Sequence, residues 1–167
     1  MRIGQSGAFK VEGLEELTKN LKEIPKIIRN RVVRKASYKA SRLPIAKIRE
    51  NIATLKLIDT GTMQKRIGAK VVRRRRTDQI VLIVGAIFTQ GKTKEEKQAK
   101  RTKLGITRDP YYIRFQELGT KYLEARHFVQ DAFMSTREAY ASRFVEECKL
   151  LIPIEVAKGI TRRKVKK

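Results

Sequence analysis

Five consecutive aliphatic residues, Ile80–Val84, limit what this chain can fold into. In a strand, successive side chains point to opposite faces of the sheet, so Val81, Leu82, Ile83 and Val84 make both faces apolar. Such a strand belongs inside a sheet with both faces covered, and Ile80–Ala86 is therefore expected to be central and buried. Ala69–Arg75 reads as a second strand, and Thr77-Asp78-Gln79 as the turn between them, giving an antiparallel hairpin. The run is far too short to span a bilayer, which takes about 20 apolar residues, so no membrane partner is expected.

Around this hairpin the apolar pattern is helical. Leu14, Leu17, Leu21 and Ile24 recur at spacings of three and four, one face of a helix. Pro25 ends that helix, because the residue before proline is pushed out of the α region, and can open the next. Ile28, Val32, Ala36, Ala40 and Leu43 continue as a long second helix. Pro44 should kink it before Ile45, Ile48, Ile52 and Leu55 resume the spacing. Asp59, Thr60 and Gly61 form a turn, and Met63 and Ile67 follow on a short helical turn. Phe128, Ala132, Phe133, Tyr140, Phe144, Cys148 and Leu151 mark a long last helix, which Pro153 should stop or kink. The predicted fold class is α+β: a small antiparallel β-sheet packed against two N-terminal helices and one long C-terminal helix. Residues 1–8 read as an N-terminal arm, 9–157 as a single α+β domain, and 158–167 as a basic C-terminal tail.

Charge sets the choice of partners. The 167 residues carry 40 Lys+Arg against 17 Asp+Glu, a net +23, which favours polyanions: nucleic acid or acidic protein surfaces. Three clusters are candidate partner or DNA contacts. The first is Arg73, Arg74, Arg75 and Arg76. The second lies in residues 89–109, with Lys92, Lys94, Lys100, Arg101 and Lys103. The third is the tail, with Arg162, Arg163 and Lys164. Residues 89–109 have too little apolar content to build a core and read as a projecting basic loop or arm ordered by a partner. Phosphate neutralisation needs only such clusters, but they hold few aromatics for stacking on bases, so binding would be sequence-independent.

Chemistry finds little support. Ala86–Thr93 fits a relaxed phosphate-loop pattern, yet residues 94–104 lack the apolar face that would pack a following helix on a sheet. A single histidine, His127, and a single cysteine, Cys148, cannot build a zinc cluster. Cys148 sits on the apolar stripe and reads as core; His127 reads as a structural residue at a helix start. Glu117, Glu124 and Asp131 show no clear convergence toward a divalent ion. No catalytic residue, metal or cofactor is expected, and one cysteine rules out an internal disulfide and gives no sign of an oxidising compartment.

The stretch 111–133 is predicted to be a hinge between sheet and last helix. Tyr111 and Tyr112 seat it on the sheet, Glu117, Gly119 and Thr120 turn the chain with Gly119 as a left-handed cap, and Phe128 and Phe133 anchor the helix. It also belongs to an ordered set of motifs: Val11-x-Gly13-Leu14-x-x-Leu17-x-x-x-Leu21; Thr60-Gly61-x-Met63-x-x-x-Ile67; Val84-Gly85; Tyr111-Tyr112 before Glu117-x-Gly119-Thr120; and Ala125-Arg126-x-Phe128 before Ala132-Phe133. In this order the set, covering about residues 9–150, resembles the neck and tail-completion family of tailed bacteriophages, head–tail joining proteins often described as minor tail components. The resemblance implies a non-catalytic virion protein, assembled in a host cytoplasm and located in the neck. It would be one subunit of a homo-oligomeric ring around the DNA channel. Its implied partners are head-closure or connector proteins, tail-terminator or tail-tube proteins, and packaged DNA in non-specific contact. The family usually has proline where His127 stands and often where Asp131 stands; Asp131 in the first turn could favour the helix through its dipole instead. The other reading is a sequence-independent nucleic-acid-binding protein.

Overall fold

In a computed structural model the chain is α+β: helices around a small two-stranded antiparallel sheet, ending in a long C-terminal helix. The structure describes residues 12–57, 61–74, 77, 79–88, 93–103, 105–106 and 110–164, with 159–164 described by backbone alone. The elements are α1 (Leu14–Glu23), α2 (Lys26–Ala40), α3 (Arg42–Thr54), α4 (Thr62–Arg66), β1 (Ile67–Arg74), β2 (Gln79–Ala86), α5 (Lys94–Lys103), α6 (Ile113–Leu118) and α7 (Phe128–Lys164). No described helix is long and apolar enough to cross a membrane.

The chain divides into two compact units: the part up to Ala40 with the part from Glu138, and the intervening Ser41–Arg137. In the first unit, the stripes read from sequence meet. Leu17 of α1, Val32 and Ala36 of α2, and Val145, Cys148 and Leu151 of α7 form one apolar cluster. Each large aliphatic side chain buried there is worth about 1.5–3 kcal/mol. Alanine at positions 36 and 40, both fully buried, lets a neighbouring backbone come close. Two carboxylates share this interior. Glu147 accepts a 2.8 Å hydrogen bond from Lys39, and Glu155 accepts one from Lys35. Four residues along α2 match eight along α7 in the opposite direction, so the two pairs fix the register of an antiparallel packing. Lys35 and Lys39 are thus partners of acidic residues within the chain.

The second unit holds the sheet. β1 and β2 pair from Ile67 opposite Ala86 to Arg74 opposite Gln79. Their inner side chains join Ile48 and Ile52 of α3, Met63 of α4, Ile113 of α6, and Phe128 and Ala132 of α7. Gly61 opens α4 in the left-handed conformation, φ 67°, as its place in the predicted turn requires; Asp59 and Thr60 lie outside the described residues. The Arg49 guanidinium donates to Ile67 O and the Asn51 amide to Phe128 O, tying α3 to the starts of β1 and α7.

Four expectations need correction. β2 is not central: the described sheet has two strands, none of β2's eight residues is fully buried, and Ile83 is 53% exposed. The long second helix does not kink at Pro44 but breaks at Ser41. Proline lacks the N–H that would bond the carbonyl four residues back, and its ring clashes there, so the break falls just N-terminal to it and Pro44 sits in the tolerated first turn of α3. Pro153 does not end α7, which runs on to Lys164 through the start of the predicted tail. One helical bond is lost, while buried Leu151 and Glu155 hold both sides of the site.

The fourth concerns the basic arm, which contains a helix. Thr93 and Glu96 form the T-x-x-E spacing of a capping box, and the Glu96 N–H donates to Thr93 Oγ1 at 3.2 Å. Glu95 and Glu96 lie in the first turn and Lys100, Arg101 and Lys103 in the last, matching the helix dipole. At the other end the N–H groups of Gly105 and Ile106 donate to Thr102 O and Arg101 O, the Schellman pattern, with Gly105 at φ 61°. Ile106 is buried and anchors that end. As its composition requires, α5 buries none of its own side chains.

Candidate functional site: the 111–133 hinge and the basic clusters

The hinge resolves into a helix, a tight turn and a return. Pro110 is buried and starts α6, with the Ile113 N–H donating to its carbonyl. Tyr112 packs against the core of the Ser41–Arg137 unit as expected. Tyr111 does not: it is 69% exposed, set edge-on to Tyr112 and Phe115 at 6.0 and 6.3 Å. On so short a helix only one side faces inward, and Ile113 occupies it.

Gly119 ends α6 at φ 73°, ψ 176°. The positive φ is the one expected of a left-handed cap, but ψ is extended rather than near the ~+47° of a left-handed helical residue. This conformation is one that essentially only glycine adopts. A Cβ there would also lie 2.8 Å from both Ala125 N and Leu123 O. Thr120 then closes the turn: its N–H donates to Leu123 O, and its hydroxyl accepts from the N–H groups of Tyr122 and Leu123. Tyr122, at the tip, is 90% exposed. The chain then comes back against the end of α6. Arg126 N–H donates to Gln116 O and His127 N–H to Glu117 O, satisfying two carbonyls that a helix end leaves open.

The central contact is one that sequence reading missed. Glu117 Oε2 accepts the Val129 N–H and Oε1 the Gln130 N–H, both at 2.9 Å. A carboxylate from the previous helix therefore caps α7, filling two of its unbonded donors at the positive end of its dipole. The pattern E-x-G-T contained the residues; nothing in it gives the distance to a helix start eleven residues later. Asp131 sits in the first turn as expected, but the donors are taken by Glu117. His127 precedes α7 at φ 45°. Proline is locked near φ −65°, so His127 is not standing in for a helix-start proline with the backbone unchanged. Phe128 is buried and anchors α7; Phe133 is 41% exposed and does not. Ala132 takes the inward position next to it.

Both Glu117 oxygens are engaged, and among the described residues no group of three His, Cys, Asp or Glu side chains could hold a metal ion. Thr93 caps α5; residues 89–92 of the phosphate-loop pattern, Lys92 among them, lie outside the described residues. In the first unit Cys148 is fully buried, and burial pushes its thiol up to about 12.

Of the basic candidates, Arg73 and Arg74 are exposed at the end of β1. Lys94, Lys100 and Lys103 are exposed on α5 and Arg101 is half-buried. Arg75 and Arg76 lie outside the described residues, as do the side chains of Arg162, Arg163 and Lys164, whose backbone is the last turn of α7. No protein-family model, curated protein or solved structure matches the chain.

Proposed function

We propose that this chain is a structural protein of a tailed-phage virion, a neck subunit that joins the head connector to the tail as part of a homo-oligomeric ring. The observation that carries the reading is the ordered motif set of the sequence. Its 117–133 portion is supported by the interdependence of those residues: Glu117 caps α7, Gly119 and Thr120 make the turn, and Phe128 anchors the helix. An assembly protein needs such a rigid body, with charged or apolar surface left over for neighbours. The proposed partners are connector or head-closure proteins and tail-terminator or tail-tube proteins. Electron microscopy of the purified protein for rings, and co-purification with connector and tail-terminator proteins, test it. Absence of rings together with failure to enter particles overturns it.

A second reading, sequence-independent nucleic-acid binding, is favoured by α5, a capped helix with no fully buried side chain that exposes Lys94, Lys100 and Lys103. Titration against duplex DNA across salt tests it: tight binding with a steep negative salt slope and no protein partner is its signature.

A further inference from the structure

Among the described residues β2 has one unpaired edge, and its composition is unlike the rest of the chain. Residues 79–91, QIVLIVGAIFTQG, contain no charged side chain, in a protein where 34% of residues are charged. β1 pairs one side of β2; on the other, no backbone partner is present among the described residues. Protein edge strands are normally guarded by charges, proline or bulges. β1 has such guards in Lys70, Arg73 and Arg74, whereas β2 has none.

An apolar groove of about 410 Å³ runs along this region. Leu82, Ile83 and Val84 line it together with Ile48, Val129 and Phe133, and Glu117 of α6 and Gln130 at the start of α7 complete it. Three consecutive strand residues alternate between faces, so a groove touching all three lies at the edge of the strand. The space beside β2 is therefore largely apolar, and no described residue pairs with the N–H and C=O groups at that edge.

We propose that a second copy of this chain adds a strand to the free edge of β2. Charge selects this occupant. Two chains of net +23 repel each other over most of their surfaces, and residues 79–91 are where they can meet without opposing like charges. A dissimilar acidic partner would be drawn to the basic surface instead. Pairing also accounts for the sequence itself: a strand apolar on both faces is suited to the middle of a sheet, and addition of a strand from a second copy puts it there. The inference specifies the self-association surface that the ring reading requires, but it rests on β2 and can fail separately.

The test is light scattering of the purified protein over a concentration series, with hydrogen exchange of the β2 amides at each concentration. Expected are a mass at least twice that of the chain, protection of alternate β2 amides that grows with association, and association weakened at least ~10-fold in Ile83→Lys. Ile83 is mostly exposed, so the variant should fold; the wild-type exchange data stand alone if it does not. A chain that stays monomeric, or that associates with β2 exchange unchanged, overturns the proposal. Rings with unprotected β2 amides would keep the neck reading and remove this edge. Pairing through β2 without entry into particles would do the reverse.

Discussion

At Gly119 two demands coincide. Its backbone lies where side chains are excluded, and a Cβ would strike the backbone of Leu123 and Ala125. Neither neighbour can move cheaply, because both belong to the return that Glu117 and Gln116 hold in place. Gly119→Ala is expected to cost at least the ~1–3 kcal/mol of such strain, measured by urea unfolding; a neutral result would mean the turn can reshape. Phe128→Ala removes the largest fully buried side chain of the same unit and should cost about 3–5 kcal/mol. Glu117→Ala leaves the Val129 and Gln130 donors open and should cost about 0.5–2 kcal/mol, the range for a lost helix cap, with fraying of the first turn of α7 visible in amide exchange. Glu117→Gln keeps an acceptor oxygen and should fall between the two.

Among the elements, α2 and α7 are held by contacts that respond to acid. Hydrogen bonding to Lys39 keeps the Glu147 carboxyl below its ordinary value, and hydrogen bonding to Lys35 does the same for Glu155. A group with a lowered folded pKa stabilises the fold above its unfolded value and loses that contribution as pH falls through the folded one. Thermal stability should therefore be flat near neutrality and drop below the ordinary carboxylate range, near pH 4.5. In Lys39→Met with Glu147→Gln, which removes both charges, the drop should be shallower; an unchanged acid profile would remove this pair from the account.

The stripes that build this packing were legible, because a helix must bury one face and Leu17, Val32, Ala36, Cys148 and Leu151 repeat at its period. The ion pairs were not, since residues 108 and 120 positions apart leave no local trace. α5 was overlooked for the opposite reason: its signal lies in Thr93–Glu96 and Gly105 at its ends, while the apolar stripe usually sought is missing. For β2, composition indicated the strand itself but not its place: among the described residues it is one of two strands and none of its side chains is fully buried. In the 111–133 stretch Gly119 ends a helix and Phe128 is buried, but Tyr111 and Phe133 are exposed, and the role of Glu117 followed only from three-dimensional distance.

For the molecule as a whole, the net charge of +23 acts on stability, self-association and polyanion binding, and salt separates these effects. At about 0.01 M salt the screening length is ~30 Å, and at 1 M ~3 Å, so low salt lets cations repel across the whole molecule. The contacts that oppose this repulsion are short. Glu147 and Glu155 have side chains only 5% and 4% exposed, and partly buried pairs are screened less than distant surface charges. Added sodium chloride should therefore relieve more repulsion than attraction and raise the melting temperature. Association through the uncharged β2 edge should strengthen with salt for the same reason, because the rest of each surface stops repelling its copy. Binding to DNA must weaken, since it depends on releasing counterions. Light scattering and duplex-DNA titration in parallel from about 0.05 to 0.5 M salt should thus give slopes of opposite sign. If self-association also fell with salt, charged contacts would hold the copies together, and the β2 edge would not be the surface that joins them.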